Sequence, residues 1–308
     1  MNDKEILEKY DEALQEYADK LLPAFLKDLQ SQSAPFEPFF KKLFYFYIFC
    51  SYLADSNLFP GYGKYTSLQI LYAKASLSLF GIYSCLKDGL VTEVAVLLRS
   101  LFETYLNVKL LLKEDSEKRL NLFEEFSFVE KWNSLQANKK LLKDGKITKD
   151  SFDKTFTPAL VKEIEEKYSI VKSNYHPTLP YHWAWKIFKD ETKDQRNPTI
   201  RFIANKLDLS LDYIKVYGSL SISVHSSPNL LNILSSENVI SLAPNFSRLI
   251  YNFGCLAIEY MAYVIEDIVS YLGFGEPNEI STYVNAYTIA VNKEYEDYKD
   301  SGFTVNNV

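Results

Sequence analysis

The chain has 308 residues, of which 47% are hydrophobic and 24% charged. That is enough to build one large core or two lobes, and it excludes wholesale disorder. The 10 Gly and 11 Pro amount to about 7% of the chain against a usual ~12%, too few turn formers for a β-rich fold of this size. The net charge of −6, from 34 basic and 40 acidic residues, argues against a general nucleic-acid coat or a polybasic membrane binder, and leaves room for a small basic cleft.

Apolar residues recur at helical spacing almost everywhere. A first amphipathic helix is expected over residues 3–32, with Ile6, Tyr10, Leu14, Tyr17, Leu21 and Phe25 on one stripe. Pro35 and Pro38 punctuate, and an aromatic-rich helix then runs to about Ala54. Two long helices near 65–88 and 90–113, apolar on most faces and parted by Asp88-Gly89, are expected to be central and buried. A polar helix near 116–143 ends at Asp144-Gly145, and a charged helix follows near 158–172. Residues 173–197 read mostly as loop. Asn197-Pro198 reads as an N-cap followed by proline in the first helical position. A short helix then runs to about Asp208, Ser210 can cap the next, which ends near His225, and residues 226–244 form a second loop. Helices near 245–272 and 278–299 complete an all-α bundle of about nine or ten helices. No linker divides it, so the expectation is a single helical domain over 1–308. It has an N-terminal extension over 1–60 and an acidic C-terminal helix and tail over 273–308.

Cys50, Cys85 and Cys255 are odd in number, far apart and set among apolar residues, and read as reduced core thiols of a cytoplasmic protein. The N-terminal residues lack the basic-then-apolar order of a signal peptide, and the uncharged run over 43–54 is too short to span a bilayer, which takes about 20 residues. No membrane contact is expected. Attachment to a membrane surface through residues 39–53 is a weaker alternative, because Lys41 and Lys42 are that helix's only cations. Neither a phosphate-cradling glycine loop nor a Gly-x-Ser-x-Gly elbow is present. The three histidines, His176, His182 and His225, have no partner at zinc spacing. No cofactor or metal is expected.

Two rows put polar groups where apolar ones would cost less. Arg99, Glu103 and Asn107 stand one turn apart on a strongly apolar helix, and a buried Arg needs a partner that Glu103 is in reach to supply. Tyr213, Tyr217, Ser221 and His225 again recur every fourth residue, followed by Ser226. The bland alternative is a satisfied buried network that fixes helix register. The sharper reading is a site. Imidazole titrates near neutrality and suits proton transfer, and a guanidinium suits an anionic phosphodiester transition state. Two further clusters could serve it. One is the aromatic segment with His182, Trp183 and Trp185, as a lid or stacking platform. The other is the excess of cations between His182 and Lys206, Arg201 among them. Plain packing and a solvated surface are their alternatives.

The order His182-Trp183, Ile200-Arg201-Phe202-Ile203-Ala204, Leu209, Tyr213, Tyr217, Ser221, His225-Ser226, with Arg99 and Glu103 upstream, resembles the uncharacterised bacterial helical domain-of-unknown-function family DUF5677. The likeness covers roughly residues 65–272. A wider resemblance is to HEPN domains, helical bundles of toxin–antitoxin and phage-defence systems, many of them ribonucleases with Arg-x4–6-His on one helix. Here no Arg stands at that distance before any His, so a HEPN-like site would need Arg99 and His225 brought together from two helices. The resemblance implies a metal-independent ribonuclease working as a homodimer on RNA. His225 would be acid and base, Arg99 would stabilise the phosphate and Glu103 would orient Arg99. Tyr217 and Ser221 complete the candidate catalytic set, and Tyr213, Ser226, His182, Trp183, Asn107 and Arg201 the binding set. The alternative is a non-catalytic binding or regulatory module whose polar rows are structural.

Overall fold

The computed structural model describes residues 34–55, 58–59, 65–218, 235–236, 239–240, 247–275 and 278–300, together with residues 12, 15, 16, 19 and 23. Most of the helix expected over 3–32 lies outside the described residues, and so do Ser221, His225 and Ser226.

The protein is all-α. After a 3-10 turn at Ala34–Phe36, helix α1 spans Glu37–Asp55, α2 Thr66–Lys87, α3 Val91–Leu112, α4 Ser116–Lys143, α5 Lys149–Thr155 and α6 Pro158–Val171. Then come α7 at Trp185–Phe188, α8 at Ile200–Lys206, α9 at Ser210–Tyr213, α10 at Ser247–Leu272 and α11 at Glu279–Asp300. One antiparallel pair of two-residue strands, β1 (Ser235–Ser236) and β2 (Val239–Ile240), departs from this pattern.

Local chemistry explains the boundaries. Gly89 and Gly145 take φ of 73° and 67° after α2 and α4, the left-handed turn that glycine makes at low cost and that stops a helix. Thr148 and Thr157 cap α5 and α6 by accepting the backbone N–H of Ser151 and Leu160, with Pro158 in the first turn of α6. Two expectations are corrected. The residue capping α8 is Thr199, whose hydroxyl accepts the Phe202 N–H at 3.1 Å, while Asn197 turns back to donate to the Leu179 carbonyl. Ser210 is the first residue of α9, not its cap, and its hydroxyl donates to Asn205. The segment 173–197 contains the single turn α7, whose Trp185 and Phe188 are buried.

The chain divides into two compact units, one comprising residues 1–60, 72–105 and 214–308, the other 61–71 and 106–213. In the first, α1 packs on α10 and α11 through rings. Phe39 lies 4.6 Å from Tyr251, and Phe46 5.5 Å from Tyr287. The inner seam of α1 is Phe39, Leu43, Phe46, Cys50 and Leu53, all buried. Phe39 needs Gly254 on α10, where a Cβ would come within 2.6 Å of the ring's Cε1. Lys42 pairs with Glu294 to tie α1 to α11.

In the second unit α4 and α6 pair over two apolar clusters, Leu135 with Phe152, Phe156 and Ile164, and Val129 with Val171 and Tyr175. Trp132 stacks on Tyr168 at 4.6 Å and 8°. Arg119 is buried and donates to the Leu110 carbonyl at 2.8 Å, satisfying an orphan acceptor at the end of α3. Burial works against its charge, while Glu114 and Asp115 favour it.

Candidate functional site

The polar row on α3 divides between the units: Arg99 and Glu103 belong to the first, Asn107 to the second. In the first unit, α3 presents Arg99 and Glu103 half-buried on a helix whose neighbouring turns are apolar. A π-helical turn over Ile214–Gly218 follows α9, where a continuous helix is expected from the sequence. Such turns are rare and gather at functional sites. It brings Tyr217 between the two α3 side chains. The Arg99 guanidinium lies over the Tyr217 ring, 4.2 Å from its centroid, and the Tyr217 hydroxyl donates a short hydrogen bond to Glu103.

The cation thus rests on the ring, with the Glu103 carboxyl close enough to feel its charge. Cation–π attraction of this kind contributes about 0.5–2 kcal/mol. Arg99 Nη1 is buried and meets no hydrogen-bond acceptor among the described residues. Burial raises the Glu103 pKa, opposed by the charges of Arg99 and Lys74. Beneath the cluster an aromatic wall fixes α3. Phe102 meets Tyr217 edge-on at 6.3 Å and Tyr260 at 5.3 Å, and Tyr105 stacks on Tyr260. Tyr263, beside Tyr105, donates to Glu259 at 2.8 Å.

The remaining described candidates lie in the second unit. Asn107 accepts the Trp183 indole N–H at 2.8 Å, and Phe123 meets the Trp183 ring edge-on at 5.5 Å. His182 stacks beside Trp183, and its Nδ1 accepts the Ala184 N–H at 3.1 Å. Burial lowers the His182 pKa from 6.5 to about 4, so the ring is neutral near pH 7. Tyr213 ends α9 half-buried, and Arg201 is exposed on α8. The structure therefore brings Arg99, Glu103 and Tyr217 together, and separately Asn107, His182 and Trp183. Ser221, His225 and Ser226 are outside the described residues.

Two features escape the sequence reading. Arg119 hides within the charged string Ser116-Glu117-Lys118-Arg119, which reads as a solvated helix start. A groove of about 660 Å³ opens there, bordered by Asp115, Glu117, Glu125, Asn174 and Lys186. Its inner polar groups answer one another: Lys186 donates to Asn174 at 2.6 Å, and Asn174 to Glu125 at 2.9 Å. Among the described residues no group of three or more His, Cys, Asp or Glu could hold a metal ion. No helix among them is long and apolar enough to cross a membrane.

A family model described as a family of unknown function, DUF5677, matches residues 66–239, more than half of the chain. The match begins at the first residue of α2 and spans every candidate residue named above. No curated protein and no solved structure matches.

Proposed function

The chain belongs to this family of unknown function, and from that premise we propose that Arg99, Tyr217 and Glu103 form the recognition centre for an oxyanion, carried by the phosphodiester of RNA. The observation that carries the reading is the buried Arg99 Nη1 without an acceptor among the described residues. A desolvated N–H left unpaired costs about 1–3 kcal/mol, and native proteins keep few such groups outside functional places. The Tyr217 ring holds the guanidinium in place, and a guanidinium can meet an oxyanion in two parallel bonds. Glu103 is engaged by the Tyr217 hydroxyl, and its burial raises its pKa against the opposing charges of Arg99 and Lys74.

The finer form of the proposal is metal-independent RNA cleavage. The 2′-hydroxyl attacks the adjacent phosphorus while its proton passes to a base, and the departing 5′-oxygen receives a proton from an acid. His225 is the group assigned to this proton transfer. Arg99 stabilises the charge that builds on the phosphoryl oxygens, and Ser221 and Ser226 serve as further contacts. The second reading is a non-catalytic binding or regulatory module whose polar rows are structural. It is favoured by the Tyr217–Glu103 bond, which would anchor the cluster without any chemistry.

The test uses the full chain and a labelled single-stranded RNA in the presence of EDTA. Wild type should bind and cleave, R99M should lose at least tenfold in affinity while keeping its helical content, and H225A should bind but not cleave. Binding without cleavage by wild type supports the regulatory module. Absence of RNA binding by wild type defeats the whole proposal.

A further inference from the structure

Helix α1 carries two seams, one buried and one exposed among the described residues. The inner seam, Phe39, Leu43, Phe46, Cys50 and Leu53, repeats at intervals of four, three, four and three residues and is buried. The opposite seam repeats in the same way: Lys41, Tyr45, Ile48, Tyr52 and Asp55 are all exposed. Alternating intervals of four and three make a helix seam that fits a second helix by knobs into holes. A helix that only covered its core would carry polar groups here.

The order along the outer seam reads the same in type from both ends: charge, tyrosine, isoleucine, tyrosine, charge. Lys41 and Asp55 each stand seven residues from Ile48, roughly 10.5 Å along the axis. A two-fold axis through Ile48 would pack one α1 antiparallel on another. It would set Tyr45 against the second copy's Tyr52 and Lys41 against the second copy's Asp55. A parallel pairing would instead oppose like charges. An isologous contact requires this self-complementarity.

We propose that the outer face of α1 is a homodimer interface, in which a second copy of this chain packs antiparallel about Ile48. Helix α2 widens the surface on one side. Its Phe80 lies 4.8 Å from Tyr47, and Leu77, one turn before Phe80, points outward as well. Tyr45, Ile48, Tyr52, Leu77 and Phe80 are between 39% and 66% exposed. At a few hundred Å² or less per side chain, these five offer roughly 500 Å². That is over half of the roughly 800 Å² per partner of a stable interface, before the flanking residues are counted. The proposal stands apart from the RNA reading, since none of these residues belongs to the Arg99 cluster.

Sedimentation velocity on the full chain at micromolar concentrations tests it. Wild type should run as a dimer. I48K, which sets two ammonium groups together at the axis, should run as a monomer with unchanged far-ultraviolet dichroism. K41D should raise the dimer dissociation constant about tenfold, because two symmetric like-charge contacts replace two attractive ones. The double reversal K41D/D55K should return it to within about twofold of wild type, a recovery that a general loss of folding cannot mimic. A monomeric wild type, a dimer indifferent to I48K, or a double reversal no better than K41D would each overturn the proposal.

Discussion

Two places on the molecule take up the polar row of α3, and they use it in opposite ways. At Asn107 the contacts close within the protein: the side chain accepts the Trp183 indole N–H, and the neighbouring His182 takes the Ala184 N–H and stays neutral. At Arg99 the guanidinium lies over a ring and is left with a buried N–H unmatched by any described residue. A fastening lowers its energy by closing every bond, while a binding centre keeps one open for something else. The contrast separates residues that hold the fold from residues that would meet a ligand, although one helix supplies both.

The largest effect should come from breaking the fastening. Trp183→Ala removes a buried ring and strands the Asn107 amide, and should cost about 3–5 kcal/mol in chemical unfolding. Acid should act on the same region next. The His182 pKa lies near 4 in the folded chain and 6.5 in the reference state, so between these values the unfolded chain binds a proton that the folded chain refuses. Stability is therefore lost as pH falls from about 6.5 towards about 4 and is level outside that window. With His182 partly exposed, the loss should be of order 1 kcal/mol. H182Q should flatten the slope of melting temperature against pH. The smallest stability effect should come from Arg99→Met. Release of the unpaired N–H gains about 1–3 kcal/mol and loss of the ring contact costs about 0.5–2 kcal/mol. The two largely offset, and the middle of each range leaves a net change of about 1 kcal/mol or less although RNA binding fails. A stability loss as large as that of Trp183→Ala would erase the contrast.

The long helices were legible because their apolar spacing repeats over many turns. Glycine in Asp88-Gly89 and Asp144-Gly145 marked two of their ends, and the observed φ values supply the reason. Arg99 and Glu103 were legible as polar intruders on an apolar helix. That Glu103 would bond Tyr217, 114 positions away, and that the ring would carry Arg99, required the π turn, and no local pattern announces one. Helix α5 went unseen because in seven residues it buries only Phe152, too little for a period to register. The capping residue of α8 was misplaced because Asn197-Pro198 and Thr199 all carry helix-start chemistry. The choice fell to Thr199 once Asn197 was drawn to the Leu179 carbonyl.

All three indoles of the chain, Trp132, Trp183 and Trp185, fall within residues 106–213 and so within one unit. The other unit has tyrosine as its only strongly emitting fluorophore. Emission excited at the red edge of the absorption band therefore watches a single unit, while circular dichroism watches both. If the units melt independently, the two optical traces will part on heating, and the order of events can be read without attaching a label.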